Sequence, residues 1–242
     1  VNIIADFCCN HLGSRDLIEE GIKQLAEIGI DYIKFQTFKA DNLNKEYPNH
    51  EKMKEYYKKV ELSREDHLFI IRACYIYGIK PLFTAFDIDS AHLIYNVGCK
   101  EVKIASSDAD NFELLDFCDR HFSHMFISCG MISPNNLNKI RSSYRQHSFL
   151  YCVSKYPTAY DDIDFERMML FDGFSDHTKD LRAAKKAIES GMGCVERHFT
   201  LGKYLPGKDH FLSSTPDEFR ELAEQRNYIS SIEKYKTRWR TI

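Results

Sequence analysis

The chain has 242 residues, 43% of them apolar and 29% charged, enough to bury a substantial core, which excludes wholesale disorder. Its formal net charge at pH 7 is −3, so no basic excess is available to neutralise a nucleic-acid backbone. No run approaches the roughly 18 apolar residues of a membrane span, and the opening Val1-Asn2-Ile3-Ile4-Ala5-Asp6 has no basic stretch before its first acid, so it reads as a strand and not as a signal peptide.

Short β-branched runs then alternate with longer segments of helical period. Strands are predicted over 2–5, 32–36, 80–84, 101–104, 124–128, 148–152, 173–175 and 194–196. Between the first two, Ile18, Ile22, Leu25 and Ile28 share one helical face, and Gly29 stops that helix. Residues 39–62 are a long polar excursion, read as a solvated loop with a short helix, a lid over a site being the alternative. Ser63 caps a helix with Glu65 and Asp66 in its first turn, running to about Tyr77 before Gly78. Thr215 caps the last helix, with Pro216 at its first position and two acids behind it.

About eight strand-then-helix units predict an α/β fold, a parallel (βα)8 TIM barrel forming one domain over residues 1–242. A doubly wound open sheet is the alternative, but no glycine-rich nucleotide loop follows any strand. The eight cysteines form no C-x-x-C pair and sit in apolar segments, which reads as small buried hydrophobes in a reducing cytoplasm.

Active sites of parallel barrels lie at the C-terminal strand ends, and here nearly every predicted end is polar. In order they carry Asp6; Lys34 and Gln36; Thr84; Lys103, Ser106 and Asp108; Ser128; Ser154 and Tyr156; Ser175 and His177; Glu196 and His198; and beyond the last strand, Asp209. Lys34 and Lys103 lie inside apolar strands, where an ammonium group needs an anionic partner. With the hydroxyls of Thr84, Ser106, Ser128 and Ser175 around them, a phosphate or carboxylate site is expected. His177 and His198 cap adjacent strands and can meet on one divalent ion, with Glu196 two residues from His198 on the same strand. Thiolate ligation is not expected, because Cys194 sits at the buried start of its strand; imidazole and oxygen ligands suit manganese, with magnesium or cobalt as alternatives.

Eight stretches carry a family resemblance, in order and over almost the whole chain. They are Ile4-Ala5-Asp6 with Asn10-His11-Leu12-Gly13, Ile33-Lys34-Phe35-Gln36-Thr37, Lys103-Ile104-Ala105-Ser106, Ser128-Cys129-Gly130-Met131, Tyr156-Pro157-Thr158-Ala159-Tyr160, Phe174-Ser175-Asp176-His177-Thr178, Glu196-Arg197-His198-Phe199-Thr200 and Pro206-Gly207-Lys208-Asp209-His210. The chain resembles the sialic acid synthase family, the phosphoenolpyruvate-dependent N-acetylneuraminate, legionaminate and pseudaminate synthases. The resemblance implies a barrel that condenses phosphoenolpyruvate with an N-acylated amino-sugar aldehyde, giving a nonulosonic acid and phosphate by C–O cleavage. It implies His177 and His198 on the metal, and Lys34, Thr84, Lys103, Ser106, Ser128 and Ser175 around phosphoenolpyruvate. It implies Gln36, Asp108, Tyr156 and Asp209 near the sugar, with Ser154 also on the substrates, and Glu196, Asp6 and Lys103 in the chemistry. A homodimer is also implied, with no nucleic-acid or membrane partner.

Three departures stand out. Asp6 replaces the family's usual Glu, Ser154 replaces a common Asn, and Asp108 replaces a common Glu, all of which alter reach near the substrates. The family's C-terminal antifreeze-like domain is not expected within this chain. Competing readings are a related phosphoenolpyruvate condensation on another aldose or a sugar phosphate, and a barrel that only binds a ligand.

Overall fold

The computed structural model describes residues 1–42 and 50–240. Its first half runs β1 (Asn2–Cys8), α1 (Arg15–Ile28), β2 (Tyr32–Thr37), α2 (His50–Val60), α3 (Arg64–Tyr77), β3 (Lys80–Ala85), α4 (Ile88–Asn96), β4 (Glu101–Ile104) and α5 (Phe112–His121). The second half runs β5 (His124–Ser128), α6 (Pro134–Ser143), β6 (Ser148–Cys152), α7 (Phe165–Met168), β7 (Gly173–Asp176), α8 (Arg182–Glu189), β8 (Cys194–His198) and α9 (Pro216–Arg240). The strands pair in parallel in sequence order and β8 closes on β1, so the chain adopts the (βα)8 barrel that its pattern predicts.

Local signals explain the helix boundaries. The Ser14 side chain accepts from Leu17 N–H, starting α1 earlier than the apolar stripe alone indicates, and Gly29 ends it at φ 82°. Ser63 and Asp66 form a reciprocal capping box at the start of α3, and Gly78 ends it at φ 77°. The polar excursion contains one turn of 3-10 helix at Ala40–Asn42 and then α2, three turns long; residues 43–49 of it lie outside the described residues. No described helix is long and apolar enough to cross a membrane.

Strand alternation divides the core in two. Ile3, Ala5, Phe7, Ile33, Phe35, Phe83, Val102, Ile104 and Val195 belong to the main cluster packed under the helices. Ile4, Tyr32, Leu82, Phe126, Leu150 and Cys194, each of the opposite strand parity, form a second, separate cluster inside the barrel. This apolar plug fills the barrel interior below the layer where Asp6, Lys34, Thr84, Lys103, Ser128 and Glu196 project. Five strands run past their predicted ends: β1 to Cys8, β2 to Thr37, β3 to Ala85, β7 to Asp176 and β8 to His198. In β1, β2, β7 and β8 the residue that follows the predicted end is polar (Asp6, Thr37, Asp176 and Arg197), which breaks the hydrophobic pattern although the backbone continues to pair.

Candidate active site

Strand register brings the polar residues together. Asp6 lies opposite Lys34 on one side and His198 on the other; Thr84 is paired with Lys103, and Ser175 with Glu196. These side chains line one cavity of about 430 Å³ at the C-terminal ends of the strands. Of the predicted residues, Asp6, Lys34, Gln36, Thr84, Lys103, Ser106, Ser128, Ser154, Tyr156, Ser175, His177, Glu196, His198 and Asp209 all line it. Asp108 does not: it sits on the turn Ser106–Asp108, where its carboxylate accepts from Ser107 Oγ at 2.6 Å.

Both lysines are buried and partnered. Lys34 Nζ is 2.8 Å from Asp6 Oδ2 and donates to Thr84 Oγ1 at 3.0 Å. Lys103 Nζ donates to Ser128 Oγ at 2.6 Å and to the Ile104 carbonyl at 2.9 Å, with Glu196 Oε1 at 3.9 Å. Each ammonium has three N–H donors, so each can still meet a ligand oxygen. Burial pushes the Asp6 carboxyl up, but Lys34 and His198 outweigh it and hold the group at about 2. Burial opposes charge on Lys34, and Asp6 and Glu196 overcome that and raise it above the usual lysine range. For Lys103 burial prevails over Glu196, with Lys34 adding to it, and its pKa is lowered. The two lysines differ because Asp6 is in direct contact with one and Glu196 stands farther from the other.

The histidines are neutral at pH 7. Burial pushes His198 down to about 4, against the Asp6 charge, and burial also lowers His177. Neutral imidazole is the metal-binding form. His177 Nδ1 donates to the Val153 carbonyl at 3.0 Å, which leaves Nε2 to accept, and the two rings are edge-on with centroids 5.5 Å apart. Three buried atoms on this wall have no partner among the described residues: His198 Nδ1, Glu196 Oε2 and Ser154 Oγ. Buried polar atoms in folded proteins are nearly always satisfied, so orphans facing one cavity fit a site built for ligands. A divalent ion fits this donor set of imidazoles and carboxylates.

Other residues escaped the sequence analysis. Tyr56 and Tyr57 reach the cavity from α2, and Lys208 lies with its Nζ 5.6 Å from the Tyr57 ring centroid. Phe86 and Met131 add apolar wall. The excursion therefore contributes to the site, which its polar composition alone did not reveal; the Tyr-Tyr pair in it was the available signal. Cys8 is another: its backbone N–H donates to Asp6 Oδ1 at 3.0 Å, and a ligand atom each of Asp6, Cys8 and His198 lie within 4.8 Å of one another. All eight cysteines are free and buried, as their apolar settings implied.

Comparison with known proteins follows the same lines. The model of the NeuB family matches residues 21–237. The chain is 34% identical to the N,N'-diacetyllegionaminic acid synthase of Legionella pneumophila, covering 92% of this chain and 70% of that protein. It is 26% identical to the pseudaminic acid synthase of Campylobacter jejuni, over 93% of this chain and 72% of the relative. Among solved structures, the N-acetylneuraminic acid synthetase of Leptospira borgpetersenii superposes with a TM-score of 0.89 at 24% identity, covering 100% of this chain and 91% of that one. The spore coat polysaccharide biosynthesis protein of Bacillus subtilis gives 0.84 at 28% identity, over 98% and 70%. The match of fold, motif order and overall sequence makes this chain an enzyme of the NeuB family, the sialic acid synthase family that its motifs resemble.

Proposed function

We propose that the protein condenses phosphoenolpyruvate with an amino-sugar aldehyde to give a nonulosonic acid and phosphate. The observation that carries this reading is the gathering of Lys34, Lys103 and the hydroxyls of Thr84, Ser128 and Ser175 around Glu196, beside His177 and His198, in one cavity. The two ammonium groups bind the phosphate and carboxylate and hold the enol over the acceptor, which supplies proximity and charge stabilisation. The hydroxyls fix the anion's orientation by hydrogen bonds that surface lysines alone would not provide. His177 and His198 would hold the divalent ion, with Asp6 close by. When bound, that ion supplies Lewis-acid polarisation of the aldehyde oxygen, offsetting the charge that develops as carbon 3 of the enol attacks. Carbon 2 then becomes cationic and accepts water. Glu196, with Oε2 unpartnered, takes the proton of that water. The tetrahedral intermediate expels phosphate by C–O cleavage, and Lys34 and Lys103 stabilise the departing charge.

Gln36, Ser154, Tyr156 and Asp209 form the part of the cavity assigned to the sugar. Burial and the Asp6 charge raise the Asp209 carboxyl above its ordinary value. The unpartnered Ser154 hydroxyl is a further contact for the acceptor. The test is phosphate release from phosphoenolpyruvate across a panel of aldoses, with and without manganese. Release is expected with amino-sugar aldehydes and divalent metal together. Release confined to sugar phosphates, or undiminished in excess chelator, contradicts the reading.

A further inference from the structure

Arg197 is among the largest fully buried side chains, 2% exposed, and no step of the proposed reaction uses it. It stands on β8 between Glu196 and His198, opposite Ala5 on β1 and Asp176 on β7. Glu196 and His198 line the cavity, so by strand alternation Arg197 leaves β8 on the other side, where Ala5, Phe174 and Val195 belong to the main apolar cluster. A charge is expensive in such a layer. Here it is matched: Arg197 Nη1 donates to Asp176 Oδ2, and Asp176 is itself buried. A buried ion pair is often no more stabilising than packed apolar residues of the same volume, so stability alone does not explain it. The remaining contacts of the guanidinium do. Nη1 also donates to Thr178 Oγ1 at 3.2 Å, and Nη2 donates to the Thr178 carbonyl at 3.0 Å. Asp176 Oδ1 in turn accepts from Thr178 N–H at 2.8 Å, so the residues on both sides of His177 are tied to one fork. On the other flank, Arg197 Nε donates to Ser214 Oγ at 3.0 Å, and Ser214 N–H donates to the His198 carbonyl at 2.8 Å. One guanidinium therefore braces the backbone that carries both histidines.

We infer that Arg197 is a positioning residue for the metal pair: through Asp176, Thr178 and Ser214 it sets the spacing and aim of the His177 and His198 imidazoles. This rests on the reading that the two histidines hold a divalent ion, and it adds a residue that touches neither the ion nor a substrate. Groups that orient metal ligands without binding the metal typically govern about 10–100-fold of its affinity. The planar fork of arginine suits the task, since it reaches three partners in fixed directions where a lysine ammonium is a single point of charge.

The test compares the whole chain as wild type, R197K, R197M/D176N, H177A and H198A. The double variant leaves no unpaired buried charge, and its Asn keeps the acceptor that Thr178 N–H uses, so the fold is preserved. Manganese affinity is read from the paramagnetic resonance signal of free Mn2+, phosphoenolpyruvate affinity by calorimetry in chelator, and stability from melting curves. R197M/D176N is expected to melt close to the wild type and to bind manganese about 10–100-fold more weakly, while phosphoenolpyruvate, held by Lys34 and Lys103, binds much as before. R197K keeps the charge opposite Asp176 without the fork and should lose less. Should the double variant not fold, R197K decides in the same way, a fall in manganese affinity alone supporting the inference. Wild-type manganese affinity in the folded Arg197 variants, or equal losses for manganese and phosphoenolpyruvate, assigns Arg197 to the fold and overturns the inference. The metal reading survives that result if the wild type binds manganese and H177A and H198A do not. Failure of the wild type to bind manganese, or binding unchanged in both histidine variants, overturns both.

Discussion

Glu196 is gripped through one oxygen. Ser175 Oγ donates to Oε1 at 2.8 Å and Lys103 stands 3.9 Å from the same atom, while Oε2 is buried without a partner among the described residues. A purely structural counter-ion would be expected to use both oxygens, so the arrangement favours proton transfer. Glu196→Gln keeps the acceptor that Ser175 uses but cannot take a proton. Turnover should fall by about 10²–10⁴-fold with little change in melting temperature; a variant that loses stability yet keeps its specific activity would assign Glu196 to the fold. Lys103 makes the complementary case. Its alanine variant loses a charge-assisted contact worth about 1.5–3 kcal/mol, so phosphoenolpyruvate binding should weaken roughly ten- to hundredfold. Calorimetric titration of each substrate separates the roles, because the sugar's affinity should change little. Equal losses for both substrates would contradict the anion assignment.

At the scale of elements, much of the barrel was legible in the sequence. β4, β5 and β6 run over the predicted residues because their apolar runs end where their pairing ends. β1 and β8 run furthest beyond the pattern, because Asp6, Arg197 and His198 are polar residues in paired strand positions. A bulge is invisible to period-two reasoning, and Phe7 is apolar at the place where register shifts. Lys34 and Lys103 could be placed in the site because they follow strand alternation. Asp108, placed near the sugar by the resemblance, sits on a short turn outside the cavity lining, where its carboxylate accepts from Ser107 Oγ. Tyr56 and Tyr57 belong to a helix in a segment whose polar composition reads as solvated.

The turn from β1 to α1 carries a pH-dependent contribution to stability. His11 is buried against Phe7 and Phe35, its Nδ1 accepts from Gly13 N–H at 3.1 Å, and burial lowers its pKa from 6.5 to about 4. The unfolded chain takes up this proton near 6.5 and the folded one only near 4. The stabilising contribution of neutral His11 is therefore whole above about 6.5 and is lost as pH falls towards 4, a swing on the order of 3 kcal/mol. Melting curves of wild type and His11→Gln from about pH 7 to about pH 4 isolate it, since other buried histidines are common to both. The wild type's stability relative to the variant should decline through that window; a difference independent of pH would contradict the assignment.

Across the whole molecule, a closed parallel barrel explains why residues from all parts of the chain converge. Each strand, or the segment just after it, contributes one or two polar side chains at the same end, and the apolar plug of Ile4, Tyr32, Leu82, Phe126, Leu150 and Cys194 keeps that layer from sinking into the barrel. The chemistry proposed for this cavity requires the enol carbon–oxygen bond of phosphoenolpyruvate to break, with water supplying the new oxygen at carbon 2. The most direct measurement follows the bridging oxygen. Phosphoenolpyruvate labelled with 18O at that position is incubated with the protein, an amino-sugar aldehyde and a divalent metal, and the released phosphate is analysed by mass spectrometry. The account predicts that the phosphate carries the label and that its release depends on the aldehyde. Unlabelled phosphate, the mark of phosphorus–oxygen cleavage, or labelled phosphate released equally without any aldehyde, would contradict it.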